Sequence, residues 1–215
     1  MVDFSWFLSG VIRLLGPFLL LVIWHKKTGA RCYPALIAYA VCLPAFIIGA
    51  AIRSGMSQEN IVSYCLQRGL LFGIVEEGTK YLVMRFFLSS YDSRKDAVTY
   101  GIGHGAYESL ASGLSCLGMI GSAQSGANIF MSLWDFTSGA LSTIALTVMI
   151  FYGIRKERVK IMLPAAILIH AVDNASVSLL SDSDGTALRT VTMLGASCAA
   201  YFCWRSMRDP YEEAY

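Results

Sequence analysis

Seven apolar segments, each long enough to cross a lipid bilayer, follow one another along this chain of 215 residues. A membrane-spanning helix needs about 20 consecutive, mainly apolar residues. The segments cover approximately Phe4–Trp24, Tyr33–Ile52, Ile61–Ser89, Ala97–Ile120, Ala127–Gly153, Ile161–Leu180 and Ala187–Trp204. The sequence therefore predicts an all-α, polytopic transmembrane helix bundle of about seven spans, which forms a single integral membrane domain over residues 1–215.

The composition agrees with this fold class. Charged residues make up 15% of the chain and hydrophobic residues 55%, and the mean hydropathy is +0.54. Soluble domains contain about 25% charged residues, and a soluble domain of this size could not bury so much apolar surface in one core. The net charge of +2 gives no support for a nucleic-acid partner. We expect the lipid bilayer as partner and a multi-pass location in the cell membrane.

The distribution of Lys and Arg predicts the orientation of the spans. Of the 17 basic residues, 12 lie in the first, third and fifth gaps between segments and in the C-terminal tail. The other gaps, with the helix turns that border them, hold only Arg53, Arg68 and Arg189. Because basic residues accumulate in cytoplasmic loops, we expect the N-terminus outside and the C-terminus in the cytoplasm.

Three of the segments carry ionisable residues near their centres, where a charge is costly and usually has a function. For one isolated His or Glu, structural pairing would be the better explanation. Three helices that each bring an acid, two of them with a histidine, favour a functional site. These residues are Glu76, Glu77 and Lys80 in the third segment, His104 and Glu108 in the fourth, and His170, Asp173 and Asn174 in the sixth. Asp135, in the fifth segment, is instead expected to form an interhelical hydrogen bond.

Helical spacing predicts the roles of the two neighbouring glutamates. Glu76 and Lys80 are four residues apart and are expected to form a structural ion pair. Glu77 then points about 100° away and is left as the reactive carboxylate. Spacing alone does not decide which glutamate has which role.

The other polar residues are also spaced to share helix faces. His104 and Glu108 are four residues apart, as are His170 and Asn174. At about 1.5 Å of rise per residue, the residues of all three segments lie within roughly 10 Å of the same depth in the membrane. Small residues at fourfold spacing, such as Gly69 and Gly73, are expected to let helix backbones pack closely.

The ordered set of motifs resembles that of a superfamily of intramembrane proteases, whose branches include the CAAX-protease and bacteriocin-processing enzymes, the PrsW proteases and the YhfC family. Their pattern is Glu-Glu-x-x-(Lys/Arg), then aromatic-x-x-x-(Glu/His), then His-x-x-x-(Asp/Asn). The runs 76–80 and 170–174 match the first and third motifs. In the second, Glu108 fits the acidic position, but His104 stands where an aromatic residue is usual. This variant is most similar to the YhfC branch, which implies a metalloprotease-like activity.

Two mechanisms of peptide hydrolysis are compatible with these residues. Hydrolysis needs an activated water, a proton for the leaving amine and a stabilised oxyanion. Without a metal, Glu77 would be the base, assisted by His104 or Glu108, while His170 and Asn174 would bind the oxyanion. With a metal, His104, Glu108 and His170 would bind Zn²⁺ and Glu77 would again be the base. The sequence does not decide between them.

The expected function is that of an intramembrane endopeptidase that cleaves a membrane-associated protein or peptide. One alternative is a non-catalytic scaffold or substrate-presenting subunit, similar to the APH-1 component of γ-secretase. Another is a proton-coupled transporter, in which Glu and His relay protons. The double glutamate favours a protease over a scaffold, and we find neither the repeated halves nor the interrupted helices typical of transporters.

Overall fold

The computed structural model describes residues 4–121, 127–180 and 182–207, without the side chains of residues 177, 178, 182 and 183. The described residues form seven α-helices and one π-helical segment. Their bounds are α1 Phe4–Thr28, α2 Tyr33–Ser54, α3 Ile61–Leu82, the π-helix Val83–Phe87, α4 Arg94–Gly118, α5 Ile129–Arg155, α6 Val159–Leu179 and α7 Asp182–Ser206. Each α-helix coincides with one predicted segment to within a turn or two. The predicted fold class, an all-α polytopic membrane bundle, is confirmed.

The outer surface of the bundle is apolar. Large hydrophobic side chains are exposed on every helix, and Phe18, Leu36 and Phe202 expose 60%, 64% and 68% of their surface. Soluble monomers rarely expose apolar patches of this extent, whereas lipid tails accommodate them. Among the described residues, four helices, α1, α2, α5 and α6, are long and apolar enough to cross a membrane. The chain is a membrane protein whose apolar surface contacts the bilayer.

The remaining helices, α3, α4 and α7, are as long as those four but more polar. In α3 and α4 the polar residues include Glu77, Lys80 and His104, which are buried inside the bundle rather than exposed to lipid. Such inward polar residues lower the hydropathy of a segment without changing its length. The count of seven crossings and the outside position of the N-terminus stay predictions.

The N-terminus of α4 is fixed by polar contacts at the end predicted to face the cytoplasm. Ser93 and Asp96 form a capping box, which satisfies amide groups that the helix start leaves unpaired. Asp96 is only 3% exposed and also accepts hydrogen bonds from the Arg31 guanidinium, with 3.2 Å between Arg31 Nε and Asp96 Oδ1. These bonds raise the pKa of Arg31 above its ordinary value. The Arg31 side chain also stacks on Tyr91, 4.2 Å from the ring centroid.

Helix α4 is the central element of the bundle and packs against α1, α2 and α5. Glycines allow this close packing. A Cβ at Gly103 would lie 2.2 Å from the Ala35 carbonyl oxygen of α2, and one at Gly101 would lie 2.8 Å from the Ile144 Cα of α5. Any side chain at these positions would separate the helices. His104 follows Gly103 directly and is therefore held in the buried half of α4.

Helices α3 and α6 are in direct backbone contact through Gly69 and Gly73. A Cβ at these positions would lie 2.5 Å and 2.7 Å, respectively, from carbonyl oxygens of α6. The expectation that these two glycines let helix backbones pack closely is confirmed. Gly73 lies about one turn before Glu77, and the α6 carbonyls belong to residues on either side of His170. This contact brings the first and third sequence motifs together.

Candidate functional site

A cavity of about 310 Å³ lies among helices α2 to α7. Its lining includes residues of all three sequence motifs: Glu76, His104, Glu108, His170 and Asn174. The structure thus brings together residues from three helices, which agrees with the common depth estimated from the sequence. The apolar part of the wall includes Phe46, Phe72 and Leu146.

His104 lies between two carboxylates on the cavity wall. Its Nε2 atom is 3.3 Å from Glu76 Oε2 and 3.4 Å from Glu108 Oε1. Its Nδ1 atom is 3.0 Å from the sulfur of Cys42 on α2. Because Cys42 occupies the Nδ1 side of the ring, Nε2 is the nitrogen directed at the carboxylates. Thr143 Oγ1, from α5, lies 3.5 Å from the other oxygen of Glu108.

Glu77 lies behind this cluster and has an exposed fraction of zero. Lys80 Nζ donates a hydrogen bond to Glu77 Oε1 at 2.7 Å, and His170 Nδ1 lies 2.6 Å from the same oxygen. The predicted ion pair between Glu76 and Lys80 is wrong, because Lys80 pairs with Glu77 at a spacing of three residues. Glu77 is likewise not the free carboxylate that the spacing suggested, because Lys80 and His170 both contact its Oε1 atom. Glu76 is the glutamate that faces the cavity.

His170 connects the two glutamates. An ionised carboxylate can only accept hydrogen bonds, so His170 Nδ1 carries the proton that it donates to Glu77. The opposite nitrogen, Nε2, is 3.7 Å from Glu76 Oε2. A carboxylate behind a histidine fixes both the tautomer and the orientation of the ring. Lys80 in turn balances the charge of Glu77, so the chain Lys80–Glu77–His170 holds one imidazole nitrogen towards the cavity.

The site differs from the predicted metal set of His104, Glu108 and His170. Within the part of the chain that the structure describes, the residues whose ligand atoms all lie within 4.8 Å of one another are Glu76, His104 and Glu108. Glu76 stands in the place that the sequence reading gave to His170. The reason is a tertiary contact. His170 Nδ1 is bound to Glu77, which holds the imidazole ring beside the cluster rather than within it.

Asn174 lines the cavity wall at the C-terminal end of α6, beside a network of charges. Arg189 Nε of α7 donates to Asp173 Oδ1 at 3.3 Å and lies 4.0 Å, through Nη1, from Asp135 Oδ1 of α5. Arg13 Nη2 of α1 donates to Asp135 Oδ2 at 2.9 Å. The predicted interhelical hydrogen bond of Asp135 is confirmed. The network joins four helices at the end of the bundle that is predicted to face the exterior.

Sequence reasoning missed Cys42, Thr143 and Arg189 as neighbours of the site. Arg189 carried a usable signal, since a charge inside a predicted span is functional or paired by default. Cys42 and Thr143 carried none, because residues of these types are ordinary in apolar helices. Only the packing of α2 and α5 against α4 reveals their contacts.

The donor atoms of the Glu76, His104 and Glu108 cluster fit a divalent metal ion. One imidazole and two carboxylates are ligands that Zn²⁺ and similar ions accept, and a three-ligand site leaves a further position for water. The contact of His104 Nδ1 with Cys42 supplies the outer support that a metal-binding histidine normally has. The adjoining cavity provides room for a substrate.

Part of the chain is similar to known proteins. Residues 41–128 match the model of a family described as YhfC intramembrane metalloprotease. The chain is 30% identical over 127 residues to the uncharacterized membrane protein YhfC of Bacillus subtilis (strain 168), an alignment that covers 53% of this chain and 48% of that relative. The chain thus matches about half the length of the relative. No solved structure matches the chain at a significant level.

These findings confirm the resemblance to the YhfC branch. The matched family segment contains the run 76–80 with both glutamates, together with His104 and Glu108. His170 and Asn174 lie beyond it. The part of the site that could hold a metal is therefore within the segment that resembles a metalloprotease family.

Proposed function

We propose that this protein is an intramembrane metalloprotease of the cell membrane and that Glu76, His104 and Glu108 hold its metal ion. The observation that carries the proposal is the convergence of these three side chains within 4.8 Å on the wall of a cavity inside a membrane helix bundle. The family model that matches residues 41–128 supports the reaction class. The substrate is a membrane-associated protein or peptide.

In this proposal the metal ion and the side chains of the protein have different chemical roles. A divalent ion such as Zn²⁺ would act as a Lewis acid towards the scissile carbonyl and the attacking water. Glu76 and Glu108 bring two negative charges to the ion, and His104 brings a neutral nitrogen. Cys42 keeps the His104 ring in the orientation that presents Nε2. The cavity lies among the membrane helices; the His104 side chain is buried, whereas 41% of the Glu108 side chain is exposed, which leaves water a route to the cluster.

His170 is the proton carrier in this proposal. Its Nε2 atom lies on the cavity side, 3.7 Å from Glu76, and its Nδ1 proton is held by Glu77. Nε2 accepts a proton from the attacking water and delivers it to the leaving amine. Glu77 is then a positioning residue rather than the base, and Lys80 keeps it ionised. Glu77 has no route to a substrate, because its side chain is fully buried.

Asn174 is assigned to the oxyanion. It follows His170 by one helical turn and lines the same cavity, so its amide can donate to the carbonyl oxygen as negative charge develops there. The metal-free mechanism considered from the sequence gives Asn174 the same role.

The metal content of purified variants tests the ligand assignment. Wild-type protein is expected to carry about one zinc ion per chain, as a mononuclear site would. Glu76→Gln, His104→Ala and Glu108→Gln should each lose most of it, because each removes one of three protein ligands. His170→Gln should retain the metal while losing proteolysis. The measurement is elemental analysis of protein purified from zinc-supplemented cultures.

Glu59→Gln, an exposed glutamate in the loop before α3, is the matched control and should retain the metal. Equal metal content in Glu76→Gln and Glu59→Gln would show non-specific binding. Loss of metal from His170→Gln would instead make His170 a ligand and free Glu76 to act as the base.

A further inference from the structure

The three arginines that the sequence places on the exterior side all line the cavity. Arg53 lies at the C-terminal end of α2, and Arg68 and Arg189 lie about two turns into α3 and α7. Each is partly buried. A further arginine, Arg13, lies in the half of α1 nearer that side, but it pairs with Asp135 and does not line the cavity. We call this part of the cavity, formed by Arg53, Arg68 and Arg189, the arginine mouth.

The arginine mouth is separate from the proposed metal cluster. Arg68 precedes Glu76 by eight residues on α3, a distance of about 12 Å along the helix axis. The cavity therefore has a negatively charged inner end, with Glu76 and Glu108, and a positively charged outer end. Among the described lining residues, Asp173 is the carboxylate that accompanies the arginines. Arg189 is paired there with Asp173, and Arg53 adds a positive charge that no described carboxylate pairs with.

Arg53 is the member of the arginine mouth with capacity for a ligand. Arg189 is engaged by Asp173 and lies near Asp135, and Arg68 has contacts of its own, among them the Phe72 ring at 6.0 Å. Within the residues that the structure describes, the Arg53 side chain has no hydrogen bond or ion pair. A guanidinium carries five N–H donors in a fork that matches a carboxylate. A partly buried guanidinium without a partner is costly unless a ligand supplies the acceptors.

We propose that the arginine mouth is a specificity subsite that binds an acidic side chain of the substrate peptide, with Arg53 as the residue in direct contact. This inference rests on the proposed protease function. One cavity connects the mouth to the cluster, so an extended peptide can occupy both. At about 3.3–3.6 Å per residue, a span of roughly 12 Å corresponds to three or four residues. The preferred Asp or Glu therefore lies three or four residues from the scissile bond.

A peptide explains the geometry better than a phospholipid does. A phospholipid headgroup would occupy the arginines, while its acyl chains would lie against the apolar outer surface and leave the inner end of the cavity unused. An extended peptide uses the positive outer end for an anchoring carboxylate and the inner end for the bond to be cut. Charge-assisted hydrogen bonds to arginine are the stronger class of hydrogen bond, and bidentate pairs add geometric specificity.

Peptide binding to purified protein in phosphatidylcholine nanodiscs tests this subsite. The probes are two fluorescein-labelled, amidated, Leu/Ala-rich peptides of one sequence that differ by a single Glu or Gln near one end. Wild-type protein is expected to bind the Glu peptide about tenfold more tightly or better, as for a charge-assisted hydrogen bond. In Arg53→Gln the ratio should fall below about threefold, and Arg53→Lys should be intermediate, since it keeps the charge but loses the fork.

Arg158→Gln is the matched control, because it removes the same charge from an exposed position in the loop at the opposite end of the bundle. It should keep the wild-type ratio. Equal affinity of wild type for the two peptides, weak binding of both, or an unchanged ratio in Arg53→Gln would each overturn the proposal. So would a loss of co-purified anionic phospholipid from Arg53→Gln without any change in peptide discrimination, since this would identify a lipid headgroup as the ligand.

The binding assay does not depend on cleavage, so the two proposals fail in different ways. A protein that discriminates between the peptides but cuts neither contradicts the protease function and supports the carboxylate subsite. A protein that cuts both peptides without discriminating between them supports the protease function and contradicts the carboxylate subsite.

Discussion

At the scale of single residues, pairing determines which charged group remains available for chemistry. A charge inside the membrane is tolerated when it has a partner, and Glu77 has two, Lys80 and His170. Glu76, its neighbour in sequence, is turned towards the cavity instead. Helical spacing permits either glutamate to reach Lys80, since residues three and four apart are both neighbours on a helix. Which glutamate pairs with Lys80 is determined by His170 on another helix, and no local pattern in α3 could reveal this contact.

This pairing predicts a large stability effect at Lys80. Lys80→Met leaves the Glu77 carboxylate buried without its cation, which should lower the free energy of unfolding by about 3–5 kcal/mol. Thermal unfolding in detergent measures the change. Adding Glu77→Gln to Lys80→Met should recover part of the loss, because the double variant no longer buries an uncompensated charge.

The control for Lys80→Met is Arg155→Met at an exposed ion pair. Arg155 and Asp92 expose 41% and 70% of their side chains, and such pairs contribute at most about 1 kcal/mol. An equal loss of stability in the two variants would contradict the buried pair. So would a double variant that is no more stable than Lys80→Met alone.

At the scale of helices, small residues determine how closely the motif-bearing elements approach. The positions of the helices could be predicted, because each is one long apolar segment with polar residues at its ends. The packing partners could not, because α3 is equally compatible in sequence with several neighbours. The structure shows that Gly69 and Gly73 place α3 against α6, and Gly101 and Gly103 place α4 against α5 and α2.

The contact of α3 with α6 should be sensitive to a single methyl group. A Cβ at Gly73 would lie 2.7 Å from the Ile167 carbonyl oxygen, a backbone atom that cannot turn aside. Gly73→Ala should therefore push α6 away and separate His170 from Glu77. We expect a loss of about 1–3 kcal/mol in stability, as for overpacked sites. Peptide cleavage should fall by about tenfold or more, because displacements near 1 Å in an active site are costly.

Gly195→Ala is the matched control for Gly73→Ala. Gly195 lies within α7, and a Cβ there would have no atom of the described structure within 4 Å. The substitution should leave activity unchanged and stability equal or slightly higher, because Ala favours a helix over Gly. Wild-type activity in Gly73→Ala, measured beside this control, would contradict the role of the glycine contact.

At the scale of the whole molecule, the sequence predicts the class of fold and the gathering of the motifs, but not the finer geometry. Seven apolar segments correspond to seven described helices, and counting residues from the segment ends placed Glu77, His104 and His170 within roughly 10 Å of one depth. The depth of a residue in the membrane depends on its position along the helix axis and not on how the helix is rotated about that axis. Two details depend on how each helix is rotated about its own axis and on which helices pack beside it. They are the identity of the glutamate that faces the cavity and the contact of Cys42 with His104. These follow from tertiary packing alone.

A reconstituted assay determines whether this chain by itself is a metal-dependent protease. Purified wild-type protein in phosphatidylcholine liposomes should cleave the acidic Leu/Ala-rich peptide, with products identified by mass spectrometry. A zinc chelator should abolish cleavage, and about one equivalent of Zn²⁺ should restore it. His104→Ala and Glu108→Gln should stay inactive at that concentration. The opposite result, no cleavage by pure wild type while a second protein co-purifies with it stoichiometrically, would contradict the account and identify the chain as a scaffold.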